Sequence, residues 1–167
     1  MVLKYFNYLG WFIVLVVLQV LIFNNILFFD YATPFLYIYL VFFIDSSLLS
    51  RNWLMILGFI LGLSVDIGSN TLGMHAAATV LLSFIRPYLL NLLTKSNDDE
   101  ILEPKMSVLG KGGYFNYLLM GVFIHHTLLI GVEFFTVTSF LDLSLRIISS
   151  TLLTTICIFA VESVRSK

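Results

Sequence analysis

Ionisable side chains are scarce in this chain, and they fall in a few places where they could bind a ligand, move a proton or tie helices together. Asp66 stands in the stretch GLSVDIGSNTLG, residues 62–73, between two apolar runs. Glu133, Asp142 and Arg146 form a second group, His125 and His126 a third, and His75 stands alone. A carboxylate in apolar surroundings is costly, so it faces the protein interior or a water cavity. The plainer role for Asp66 is a turn cap that accepts the backbone N–H groups of Gly68 and Ser69. The two roles are compatible, because a buried turn must satisfy its own donors. Arg146 follows Asp142 by four residues, one helical turn along on the same face. A buried guanidinium needs a carboxylate, so Arg146 is expected to pair with Asp142 or Glu133, and less directly with Asp66. A structural ion pair outweighs a catalytic role there.

Adjacent helical residues point about 100° apart. His125 and His126 are therefore poorly placed to share a metal, which favours i,i+3 or i,i+4 spacing. All three histidines read as packing or hydrogen-bonding groups. The chain contains no HExxH, GxSxG, P-loop or Cys-x-x-Cys motif, and no aspartate pair suited to phosphotransfer. A non-enzymatic role is expected, with no catalytic residues, no cofactor and no metal site. The single cysteine, Cys157, lies in an apolar run and reads as a packing residue.

The elements that carry these groups follow from composition. Of 167 residues, 59% are hydrophobic and 11% charged, with a mean hydropathy of +0.99. A soluble domain carries roughly a quarter charged residues and could not hide so much apolar surface from water. The apolar runs are continuous rather than alternating, which excludes a barrel. The expectation is an all-α polytopic membrane protein with one integral domain over residues 1–167. A crossing helix needs about 20 residues. The runs predict six transmembrane helices, at about 9–29, 34–49, 53–67, 71–93, 114–135 and 140–161. A polar stretch, 94–113, follows the fourth and has room for a short interfacial helix at 101–109, broken by Pro104. The turn at 136–139 makes the last two spans antiparallel neighbours. No small-residue cleavage site follows the first run, so that span is expected to be retained.

Lys4, Arg51, Arg86, Lys95, Lys105, Lys111, Arg165 and Lys167 all fall on one side of this arrangement. The loops around Asp30, Ser69 and Val137 carry no Lys or Arg. Both termini are therefore expected in the cytoplasm. The net charge of −1 offers no basic surface to nucleic acid. Counted from Trp53, Asp66 lies about 20 Å along its helix, roughly 10 Å short of the far side. The third and fourth spans are then either short full spans with a sunken turn or a re-entrant hairpin. Gly58 and Gly62 make a small-x-x-x-small face, and Gly73, Ala76, Ala77 and Ala78 keep the next span slim. The two spans are expected to pack tightly on each other within the chain. Arg86 is expected to snorkel to cytoplasmic headgroups, and Pro87 to bend or end its helix. Gln19, Asn24, Asn25 and Asp45 read as interfacial.

The stretch GFILGLSVDIGSNTLGMHAAATVLLSFIRPYL, residues 58–90, resembles the rod shape-determining protein MreD family. The resemblance rests on Gly58, Gly62, Asp66, Leu72, Gly73 and Arg86, and LQVLIFNNI at 18–26 resembles the Bacteroidetes-type members. It implies a non-enzymatic scaffold of the bacterial cell-elongation machinery in the cytoplasmic (inner) membrane. Such a scaffold sits beside MreC and supports RodA and the class B penicillin-binding protein, coordinated with MreB filaments. The resemblance also implies a fold similar to the substrate-binding subunits of energy-coupling-factor vitamin transporters. The partner-interaction candidates are then Gly58, Gly62, Asp66, Gly68, Gly73 and Arg86, together with the stretch 94–113. A transporter subunit is the alternative function, with an outward pocket lined by Asp66, Glu133, Asp142 and Arg146. A lipid-modifying enzyme lacks a nucleophile or a metal set.

Overall fold

The computed structural model describes residues 2–28, 30–71, 73–94, 104–134 and 139–166. Six helices follow one another: α1 (Val2–Leu21), α2 (Tyr39–Phe43), α3 (Arg51–Ser69), α4 (Met74–Thr94), α5 (Met106–Phe134) and α6 (Phe140–Arg165). Five of them, all but α2, are long and apolar enough to cross a membrane. The 19 residues of α3 and the 21 of α4 cover about 28 and 31 Å at helical rise. They form a helical hairpin in which each arm is long and apolar enough to cross a membrane. The hydropathy of α3 fades before its end because Ser64, Asp66 and Ser69 are polar, while its backbone stays helical. Asn70, left-handed at φ 55°, then ends the helix.

The expected second span is corrected. Residues 34–49 do not form one long helix; after Pro34 come a 3-10 turn, Leu36–Ile38, and the five residues of α2. This segment runs antiparallel to α1. Gln19, late in α1, hydrogen-bonds to the Pro34 carbonyl and the Tyr37 N–H. Lys4 and Tyr8, early in α1, reach Asp45. Trp11 packs edge-on against Tyr39 and Phe43. Every side chain from Tyr37 to Ile44 is buried, so the segment forms the centre of the bundle. A continuous apolar run is compatible with a lipid-facing helix and with an enclosed segment alike, and periodicity does not separate the two.

Three further boundaries move. The first helix spans Val2–Leu21, and Phe23–Asn25 form a 3-10 turn after it. The fifth starts at Met106, just after Pro104, with a break at Gly110 (φ 69°, ψ 165°). Pro104 thus precedes this helical turn instead of breaking it; residues 101–103 of the expected interfacial helix lie outside the described residues, as does most of the turn at 136–139. Pro87 does not end α4, which continues to Thr94.

The tightest contact in the bundle is α3 on α4. A Cβ added to Gly62 would lie 2.5 Å from both the Ala76 Cα and the His75 carbonyl oxygen. One added to Gly58 would collide with the Ser83 hydroxyl and press on the Thr79 carbonyl. Only hydrogen at these positions lets the two backbones touch. Gly68 leaves room for the Val20 side chain, and so fits α3 to α1. Gly73 has φ 81°, a left-handed conformation that glycine adopts without strain.

The starts of α1, α3 and α5 and the ends of α4 and α6 gather at one end of the bundle. Lys4 lies 3.3 Å from Asp45. Arg51 donates to the Tyr88 hydroxyl at 2.9 Å, and Ser166 meets Met106. This is the basic end. The turns 22–33 and 69–73 lie at the opposite end.

Candidate functional site

Asp66 is 1% exposed. The left-handed Asn70 turns the chain back, and the first N–H groups of α4 then point at the Asp66 carboxylate. Its Oδ1 accepts the His75 N–H at 3.1 Å and its Oδ2 the Ala76 N–H at 2.9 Å. The Thr71 hydroxyl donates to Oδ1 at 2.5 Å, and His75 Nδ1 lies 3.0 Å from the same oxygen. The Asp66 carbonyl meanwhile accepts the N–H groups of Asn70 and Thr71. The expected donors, Gly68 and Ser69, are corrected: both lie inside α3, and the carboxylate caps α4 instead. Leu72 lies outside the described residues.

Thr71, His75 and Asp66 superficially form a nucleophile, base and acid. A working triad places nucleophile and carboxylate on opposite ring nitrogens. Here Thr71 Oγ1 and Asp66 Oδ1 both face Nδ1, and Thr71 gives its proton to Asp66. The arrangement is a cap and not a relay.

A cavity of about 360 Å³ opens beside this joint, at the end opposite the basic one. Thr71 and His75 line it, as do Tyr31, Glu133 and Arg146. Arg146 does not form the expected ion pair. Among the described residues no carboxylate lies within 4.0 Å of it, and its buried Nε has no hydrogen-bond partner. The guanidinium instead lies over the rings of Phe134, 4.7 Å from the centroid, and Tyr31, at 5.7 Å. Asp142 is taken by Ser139, whose hydroxyl donates to Oδ2 at 2.7 Å while accepting the Asp142 N–H at 3.2 Å. That reciprocal cap starts α6. Of the four residues expected to line an outward pocket, Glu133 and Arg146 line this cavity. Asp66 lies behind Thr71 and His75, and Asp142 stays on the α6 cap.

Below the cavity a buried polar chain crosses the core. The Tyr37 hydroxyl lies 2.9 Å from His125 Nε2, His125 Nδ1 is 3.3 Å from His126 Nδ1, and His126 Nε2 is 3.1 Å from the Thr154 hydroxyl. Thr154 also accepts the Phe35 N–H at 3.1 Å. The two histidines thus hydrogen-bond the enclosed segment to α5 and α6. Gln19 is buried as well, not interfacial; it donates to Asn24 Oδ1 at 2.6 Å and to the Pro34 carbonyl at 3.1 Å. Asn24 in turn donates to Ser69 at 2.5 Å, joining the ends of α1 and α3.

At the basic end, Arg86 is corrected. It is 2% exposed and turns inward, with Nε donating to the Tyr117 hydroxyl at 3.0 Å and Nη2 to the Ile44 carbonyl. It shares its helix face with the buried Leu82, Ser83, Leu89 and Leu90, which leaves it no path to lipid headgroups. Asp45 is buried beside Ser47 and Lys4. Burial pushes its carboxyl up, but the Ser47 hydroxyl and N–H and the Lys4 ammonium outweigh this and hold it below its ordinary value. Glu162, which the sequence did not single out, is 2% exposed. It accepts the Tyr39 hydroxyl at 2.6 Å and both arms of Arg165, at 2.8 and 3.0 Å. Its only sequence signal is the spacing to Arg165, which reads as an ordinary surface pair three residues apart on a helix.

Among the described residues no three His, Cys, Asp or Glu side chains are grouped to hold a metal ion. Compared with known proteins, the chain matches no family model, no curated protein and no solved structure.

Proposed function

We propose that this chain is a membrane assembly subunit of the kind its resemblance implies, a non-enzymatic scaffold of the cell-elongation machinery that binds MreC in the bacterial inner membrane. The observation that carries this reading is the sealed Asp66 joint. The one acidic group of the 58–90 stretch spends both oxygens on capping α4, and the glycines beside it fuse α3 to α4. The stretch builds a stiff hairpin and leaves no group poised for turnover. A stiff body with an apolar helix only lightly covered by the rest of the chain, as α1 is, suits the reception of another membrane helix. Gly58 and Gly62 serve contacts inside the chain, so the partner surface under this reading is α1 and not the small-residue face. The test is co-expression of the tagged chain with MreC, detergent extraction and measurement of stoichiometry. A stoichiometric complex is expected; elution of the chain alone, with MreC lost, would contradict the reading.

A transporter's substrate-binding subunit is the second reading. The cavity beside the Asp66 joint favours it, because it combines polar groups with a defined volume at the end opposite Lys4, Arg51, Arg86 and Arg165. A stoichiometric vitamin in the purified protein would establish this reading in place of the first.

A further inference from the structure

We propose that the cavity beside the Asp66 joint binds a zwitterionic group, its anionic oxygens on Arg146 and its ammonium on Glu133. The site goes beyond the scaffold reading and stands whether or not the chain transports anything, because binding is read on the purified protein alone.

Arg146 carries the argument. A guanidinium keeps its charge and presents its donors in a planar fork that fits carboxylate or phosphate. Here the Arg146 guanidinium carbon lies over the Phe134 and Tyr31 rings, 4.7 and 5.7 Å from their centroids. Its Nε is buried without a partner. A buried donor left unmade is costly, more so when charged. The nearest carboxylate in sequence, Asp142, is occupied by the Ser139 cap. The cavity therefore offers a cation with no carboxylate within 4.0 Å among the described residues.

Glu133 sets the second requirement. It lines the same cavity but is more than 4.0 Å from Arg146. A bare anion in the cavity would meet the repulsion of Glu133, and a bare cation that of Arg146. A molecule carrying both charges satisfies both walls. The volume of about 360 Å³ lies at the small end of ligand sites, roughly 300–1,000 Å³. It suits a group of the size of phosphoethanolamine or an amino acid. The first is the headgroup of a common lipid and the second is free in water, so one chemistry has two sources.

The experiment uses the full chain, purified and delipidated in detergent. Calorimetric titration compares O-phosphoethanolamine and glycine with their half-molecules, inorganic phosphate and ethanolamine. Native mass spectrometry after reconstitution compares retention of phosphatidylethanolamine with that of phosphatidylglycerol. The expected result is that zwitterions bind more tightly than either half. Arg146→Gln weakens them by about tenfold or more, the scale of one lost charge-assisted hydrogen bond. Glu133→Gln, at an exposed side chain, keeps phosphate binding and loses the preference for the amine-bearing probe. Retention of phosphatidylethanolamine without binding of the soluble probes assigns the headgroup as the ligand, and the reverse assigns a free zwitterion. The proposal is overturned if no zwitterion outbinds its halves and phosphatidylethanolamine is not preferred, or if a folded Arg146→Gln binds as the parent does. Should Arg146→Gln fail to fold, Glu133→Gln decides, and an unchanged preference overturns the proposal.

Discussion

The Asp66 carboxylate accepts the Ala76 backbone N–H at 2.9 Å, across the turn that reverses α3 into α4. One side chain thereby closes the open end of a helix that starts eight residues later. Asp66→Ala removes the acceptors of two backbone donors and of Thr71. The expected cost is ~1–3 kcal/mol. Asp66→Asn keeps one acceptor oxygen and is expected to cost less. Thermal unfolding in detergent should rank parent, Asn and Ala in falling order; an unshifted Ala variant would refute the cap.

Gly62 faces the Ala76 backbone with no room for a methyl group. Gly62→Ala must push α3 away from α4, at a cost of ~1–3 kcal/mol. Gly10, in α1, has nothing within 4 Å of an added Cβ, so Gly10→Ala should be neutral or stabilise by up to ~1 kcal/mol. Equal melting temperatures for the two variants would count against the close packing.

Asp45 makes stability depend on pH. Its folded value lies below the ordinary one, so the unfolded chain takes up a proton first as the medium acidifies. The stabilisation is complete above the unfolded aspartate value of about 3.9 and is lost as pH falls from there through the folded value. Asp45→Asn should be less stable than the parent at neutral pH, with the gap closing in acid. Melting curves between neutral and strongly acidic pH check this, and a gap that stays constant would oppose it.

Arg165 and Glu162 should not be equivalent. Glu162 is buried, while the Arg165 side chain is 33% exposed. Arg165→Ala strands a buried carboxylate, at a cost of ~3 kcal/mol. Glu162→Gln leaves a guanidinium that water can reach and should cost nearer ~1 kcal/mol. Denaturation of the two variants side by side decides the matter, and a larger loss in Glu162→Gln would invert the assignment of which charge is buried.

The sequence exposes the helices that need only length and hydropathy to be recognised. It marks the start of α6 at Phe140 and the close fit of α3 and α4 at Gly58 and Gly62. Other features depend on contacts between distant residues. Tyr37–Ile44 is as apolar as a lipid-facing span, and only the surrounding helices show that it is enclosed. Arg146 has Asp142 one turn away, yet Ser139 claims that carboxylate and the aromatic neighbour Tyr31 comes from 115 residues earlier. Arg86 reads as a headgroup anchor until the Ile44 carbonyl, at the end of the enclosed segment, meets it. Asp66 was legible as a satisfied cap, but its donors lie on the far side of the turn, because α3 stays helical through Gly68 and Ser69 before the left-handed Asn70 turns the chain back.

The most direct measurement of whether the acidic turn is a sealed structural joint is amide hydrogen exchange at the start of α4. First-turn amides of a helix ordinarily lack partners and exchange fast. Those of His75 and Ala76 should instead exchange slowly in the parent protein and lose that protection in Asp66→Ala. Fast exchange at both amides in the parent would show an open, solvated turn and contradict the account.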